Sequence, residues 1–196
     1  MKKSMLFFCL ILILGISFIP AQSVDPKNPH ADNPALKPII NNFGARNYAA
    51  GAVTKAELDI ILLAGTRAPS AANRQPWRFT VVQNQNLAKQ IVPQISDNNI
   101  LIIVSAQGDG KTNTAFILDC ALAAQSMYLA AQALGLGSRI YTGPMENINT
   151  RLKPELGIPN DHNAIVLIRI GRLPPGVDAV NSASPRNNAD RVVTYK

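Results

Sequence analysis

Two short stretches gather the polar groups that could do chemistry. The first runs from Ala68 to Trp77 (APSAANRQPW) and holds a hydroxyl, two carboxamides and the chain's only tryptophan. Pro69 and Pro76 fix φ and favour a turn, so Ser70, Asn73 and Gln75 form a set of neutral donors and acceptors. The second stretch, Ser105 to Thr112 (SAQGDGKT), matches the end of a GxxxxGK[ST] phosphate loop at Gly110, Lys111 and Thr112. Its first glycine position is Ser105, and the apolar strand expected at 164–170 has no aspartate to hold Mg²⁺. A polar loop leaving a buried strand accounts for it better.

Side-chain acid–base chemistry is thin elsewhere. Outside the first 23 residues the histidines are His30, in a polar stretch, and His162, in a turn beside Asp161, which is too sparse a set for a zinc site or a hydrolytic triad. No GxSxG elbow is present. Cys120 lies in the apolar segment FILDCALAA and reads as a packed, inert thiol. A chain that is 47% hydrophobic, carries few catalytic side chains and has a net charge of +7 suits anionic ligands and a cofactor that brings the reaction with it. No catalytic residue and no metal ligand is assigned. Lysine and arginine are scattered, without interleaved aromatics, so a nucleic-acid groove is not expected.

The elements that must position these groups follow from periodicity and caps. Thr54 and Glu57 form a capping box ahead of Leu58, Ile61 and Leu62, predicting a helix that Pro69 stops. It delivers the first polar stretch to the start of a strand, WRFTVVQ. A short helix (NLAKQIVPQI) ends near Pro93, and ILIIVSA reads as a strand buried on both faces. Residues 114–134 predict a long helix, apolar around its circumference, ending at Gly135 in a left-handed cap. SRIYT and NAIVLIRIG predict further strands, with a helix near ENINTRLKPEL between them and a short terminal strand at RVVTYK. A further short helix is expected at PALKPIINNF. The irregular alternation of helix and strand points to an α+β fold.

Residues 1–23 have the form of a secretory signal: Lys2 and Lys3, an uncharged run from Leu6 to Ile19, and the small-x-small ending Ala21-Gln22-Ser23. The run is shorter than the roughly 20 apolar residues that span a bilayer, so cleavage and export to the periplasm or exterior are expected, with no stable membrane anchor. Residues 24–34 read as a polar linker and 35–196 as one domain.

The first stretch, with its flanking helix and strand, resembles the nitroreductase family of flavin enzymes. In that family an Ala-Pro-Ser-x-x-Asn-x-Gln-Pro-Trp segment joins the first long helix to the first core strand, and Ala68, Pro69, Ser70, Asn73, Gln75, Pro76 and Trp77 match it in order and spacing. FILDCALAAQSMYLAAQALGLGS resembles the family's central dimerisation helix, and LGIPNDHNAIVLIRIGRLP its penultimate strand region. The resemblance implies a nitroreductase-like three-layer α/β/α sandwich with a mostly antiparallel central sheet and a long central helix, dimeric, with two FMN molecules at the interface. It also implies transfer of electrons from NAD(P)H to nitroaromatic, quinone or similar planar acceptors by a ping-pong mechanism.

By the same resemblance Pro69, Ser70, Asn73 and Gln75 contact the flavin, Ser70 and Asn73 from the subunit opposite the phosphate-binding one, and Gly143 lies in a loop over the ring. The phosphate end departs from the family's Arg-Ser-x-Arg. FGAR stands in its place, with Phe43 and Gly44 replacing the first Arg and the Ser and leaving Arg46. Arg186, in SPRNNADRVV, matches a C-terminal phosphate-binding basic residue. The departure, and the scarcity of reduced nicotinamide outside the cytosol, leave a second reading: an exported flavin-binding protein without turnover, or an enzyme using another electron donor.

Overall fold

The computed structural model describes residues 28–30, 32–109, 111–180, 184–187 and 189–196 of the 196. The proposed signal, residues 1–23, lies outside them. By internal packing the chain divides into a main body, Val24–Ser184, and a second unit that includes Pro185–Lys196.

In the main body, helix α1 (Lys37–Ile40) precedes α2 (Lys55–Thr66). Thr54 and Glu57 form the expected box: the Glu57 N–H donates to Thr54 Oγ1 at 3.3 Å, and the Thr54 N–H to Glu57 Oε2 at 2.8 Å. A single 3₁₀ turn at Ala71–Asn73 leads into strand β1 (Arg78–Val82). There follow α3 (Gln85–Ile91), β2 (Ile100–Gln107), α4 (Thr114–Ala133) and β3 (Gly137–Tyr141). A helical run then comprises α5 (Met145–Asn147), a π-turn (Ile148–Leu152) and α6 (Lys153–Leu156), before β4 (His162–Gly171).

Among the described residues the sheet has the order β1-β2-β4-β3, every neighbouring pair antiparallel. The β-branched run of β2 is buried on both faces, as its composition requires. Ile102 and Val104 pack with Ile61 of α2, Met127 of α4 and Ile168 of β4 on one face. Leu101 and Ile103 pack on the other with Ile91 of α3 and with Leu152 and Leu156. The result is the α/β/α sandwich, helices α2 and α4 forming one outer layer.

Asn113 caps α4 by accepting the Phe116 N–H at 3.2 Å. Its other end closes as the glycine predicts: Gly135 adopts φ +74°, and the Leu136 N–H reaches Ala131 O at 2.9 Å. The inner face of α4 is buried on the sheet, whereas Leu118 and Leu122 are 59% and 43% exposed. Ile60 and Leu63 of α2 are similarly exposed.

The second unit departs from the sequence expectation. The strand predicted at RVVTYK does not form: Arg191 and Val192 belong to a helical turn, α7 (Ala189–Val192), closed by the Val193 N–H on Ala189 O at 2.8 Å, and residues 193–196 take no regular structure. The valine pair favours a strand by propensity, but local bonding between residues four apart gives the backbone its partners without one.

Candidate functional site

Ser70 to Gln75 form an exposed turn with an unusual backbone. Ala72, Asn73 and Gln75 all lie in the left-handed region, at φ +52°, +53° and +49°. Non-glycine residues there carry a cost of roughly 1–2 kcal/mol each, and such residues gather at binding sites. The side chains hold the shape: Ser70 Oγ accepts the Gln75 N–H at 3.0 Å, and Gln75 Nε2 donates to Asn73 Oδ1 at 3.2 Å. Trp77 is half-buried and stacks on Phe79 with ring centroids 6.4 Å apart, so it anchors the turn to the core.

The residue that fixes this turn to the body is Asp119, which the sequence reading passed over. It is the one charged side chain in α4 and is only 3% exposed. Its Oδ1 accepts the Ala71 N–H at 3.0 Å, while Oδ2 is buried without a hydrogen-bond partner among the described residues. A lone carboxylate inside an otherwise apolar helix was the signal that could have exposed it. A buried carboxyl group needs hydrogen-bond donors directed at it, and the Ala71 N–H is one.

Arg46 sits elsewhere. The FGAR segment runs beside β3, held by the Ala45 N–H on Ser138 O at 3.0 Å. Gln132 of α4 clamps it through both backbone groups of Phe43, accepting from its N–H at 3.3 Å and donating to its carbonyl at 2.7 Å. Arg46 is exposed. Gly143 follows the far end of β3, where an added Cβ would meet nothing within 4 Å. Beside it the chain leaves a hollow of about 330 Å³ lined by Glu146, Asn147 and Arg151 among others. A larger cleft of about 720 Å³ lies next to Thr142, Met145 and Ile165. Arg186 belongs to the second unit, where its Nη1 donates to Pro185 O at 3.3 Å.

One chain therefore brings Ser70, Asn73 and Gln75 together, and sets Arg46 and Gly143 along β3. It does not join the two groups through the sheet. The turn feeds β1 at one edge and β3 is the other edge, three strand spacings away, or about 14 Å.

The phosphate-loop candidate closes on itself. Asp109 Oδ1 accepts the N–H groups of Lys111 and Thr112, both at 2.8 Å. These amides hold the Asp109 carboxyl below its ordinary pKa, the Thr112 amide foremost. The aspartate thus occupies two of the backbone donors that a phosphate would need.

An antiparallel sheet between helical layers, with an exposed polar turn leading into its edge strand, defines the class. The family model described as Nitroreductase family matches residues 45–107 and 97–172. A protein of Archaeoglobus fulgidus is 30% identical over 167 residues, covering 80% of this chain and 95% of the relative. It carries the provisional name NADH dehydrogenase/NAD(P)H nitroreductase. The chain belongs to the nitroreductase family.

Solved structures agree in fold. A provisionally named nitroreductase of Desulfovibrio desulfuricans, in complex with FMN, superposes with a TM-score of 0.69 at 26% identity, covering 84% of this chain and 98% of that one. A provisionally named NADH oxidase of Clostridium acetobutylicum gives a TM-score of 0.66 at 27% identity, covering 81% and 99%.

Proposed function

We propose that this protein is an exported, homodimeric FMN-dependent oxidoreductase that draws electrons from NAD(P)H or another donor and delivers them to nitroaromatic, quinone or similar planar acceptors. The observation that carries the reading is the Ser70–Gln75 turn. It is exposed, strained at three non-glycine positions, and supplied with neutral donors and acceptors instead of an acid–base pair. Such a set suits the polar edge of a cofactor.

The residues present fit a flavin nucleotide. Gly143 faces open space, Arg46 offers an exposed guanidinium, and Ser70, Asn73 and Gln75 offer hydrogen-bonding groups. Bound there, FMN would supply two-electron transfer between donor and acceptor. The chain's own residues would orient it, Asp119 and Trp77 holding the turn in place, and in this reading donor and acceptor would enter in turn by the space beside Gly143.

Because β1 and β3 are opposite edges of the sheet, the reading places a complete site between two copies of the chain. The exposed leucines of α4 and apolar residues of α2 support such a pairing. Export rests on Lys2, Lys3, the Leu6–Ile19 run and Ala21-Gln22-Ser23, and N-terminal sequencing of the protein recovered from cells tests it, an intact Met1 in mature protein arguing against cleavage.

Phe43 and Gly44, in place of an Arg and a Ser, favour a second reading, a flavin carrier without turnover. The purified protein, incubated with FMN and passed through gel filtration, separates the two. Retained yellow colour together with NADH or NADPH oxidation in the presence of a quinone or nitro acceptor supports the enzyme. Retained colour with no turnover supports the carrier, and a colourless protein refutes both.

A further inference from the structure

The face of the sheet beside the FGAR segment carries two arginines. Arg139 of β3 stands directly opposite Arg169 of β4 in the strand register. Like charges so placed repel. Arg169 is 5% exposed and is met by neutral groups: Nε donates to Asn99 Oδ1 at 2.7 Å, Nη2 to Ser96 Oγ at 3.1 Å, and its Cζ lies 4.0 Å from the centre of the Tyr48 ring. The guanidinium of Arg139 lies 5.2 Å from the Tyr141 ring centre. Among the described residues neither arginine forms a salt bridge. A buried guanidinium such as that of Arg169 is costly without a counter-charge, and a second, partly exposed one on the same face makes an anion welcome there.

The position of Arg139 says which anion. Its stem lies against Gly44, so that a Cβ at 44 would stand 3.8 Å from Arg139 Cγ. The bond from the Ala45 N–H to Ser138 O sets the same segment, with Arg46 next in the chain, against the strand that carries Arg139. The motif position that has lost its Ser therefore lies against the stem of an arginine on the neighbouring strand.

We propose that Arg139, together with Arg46, binds the phosphate monoester of the flavin nucleotide, replacing the arginine and serine that Phe43 and Gly44 have displaced. Arg169 lies behind it and strengthens the positive potential. A guanidinium donates in a fork that matches a phosphate's oxygens. This inference rests on the flavin reading above and adds to it the residue that reads the phosphate.

The test compares FMN with riboflavin, which lacks the phosphate, by titrating the purified protein and following flavin fluorescence. The wild type is expected to favour FMN. Arg139→Ala is expected to weaken FMN binding about 10- to 100-fold, the equivalent of one charge-assisted hydrogen-bonding partner, and to leave riboflavin binding unchanged. Arg139→Gln keeps the stem on Gly44 and is expected to lose the same preference, so a folding defect of the alanine variant does not decide the matter. Equal affinities of the wild type for the two flavins, or an equal loss of both in the variants, overturns the assignment and leaves the flavin reading standing. A wild type that binds neither flavin removes both.

Discussion

Asp119 accepts the backbone N–H of Ala71 at 3.0 Å, and so couples the buried side of the long central helix to the exposed turn 48 residues earlier in the chain. The contact is a charge-assisted hydrogen bond inside the protein, where removing one partner leaves the other unsatisfied. Asp119→Ala should lower unfolding free energy by about 1–3 kcal/mol and weaken flavin binding with it. Asp119→Asn keeps an acceptor and should recover part of both. Urea denaturation and flavin titration of the two variants check this. Unchanged flavin binding in Asp119→Ala would show that the turn holds its shape unaided.

Strain in that turn can be measured at Ala72, an exposed residue at φ +52°. Glycine adopts this conformation without a Cβ clash but has more freedom in the unfolded chain. Ala72→Gly should therefore raise stability by about 0.5–1 kcal/mol, and Ala72→Val, with a branched Cβ, should lower it by about 1–2 kcal/mol. Thermal unfolding of the pair reads both signs. A destabilised glycine variant would place residue 72 outside the strained set.

Local signals made much of this fold legible. Thr54 and Glu57 announced α2, the run from Ile100 to Ala106 announced a strand covered on both faces, and Gly135 marked the end of α4. The polar turn was legible because Pro69, Ser70, Asn73 and Gln75 keep a specific spacing. What escaped depends on contacts distant in sequence. The role of Asp119 exists only once α4 packs beside the turn, and the pairing of Arg139 with Arg169 exists only in the register of β3 against β4. At the C-terminus β propensity pointed to a strand, but backbone bonds within the segment close a helical turn at Ala189–Val192.

Glu57 predicts an acid-sensitive step. Arg172 donates to both of its carboxylate oxygens, Nη1 to Oε1 at 2.8 Å and Nη2 to Oε2 at 2.7 Å, and this pairing holds the Glu57 pKa below its ordinary value of 4.5. A folded-state pKa below the unfolded one means that the unfolded chain binds the proton more tightly. The stabilisation is therefore complete above about pH 4.5 and is lost as pH falls through the lower folded value. Glu57→Gln should cost about 1–2 kcal/mol at neutral pH and flatten the decline in melting temperature below pH 4.5. Parallel declines in variant and wild type would assign the acid sensitivity to other carboxylates.

Cys120 should be silent in the native protein. Burial, and secondarily the charge of Asp119, push its thiol pKa up to about 12, so almost no thiolate is present at pH 8. Treatment with iodoacetamide followed by peptide mass analysis should leave the Cys120 peptide unmodified until denaturant is added. Stoichiometric labelling of folded protein would mean that the helix opens on the timescale of the reaction.

Placement of the turn and of Arg46 at opposite sheet edges makes a sharp prediction for mixed dimers. If each site takes its turn from one subunit and its phosphate-side residues from the other, Asn73→Ala and Arg46→Ala each damage both sites of a homodimer. In a mixed dimer of the two variants the lesions fall together in one site and leave the second intact. Random reassociation of equal amounts should restore about one site in four, read as tightly bound FMN per chain after gel filtration. A site built within one chain predicts no restoration, because every chain then carries one lesion in its own site. The mixture thus decides whether two sheet edges, from different copies, make one flavin site.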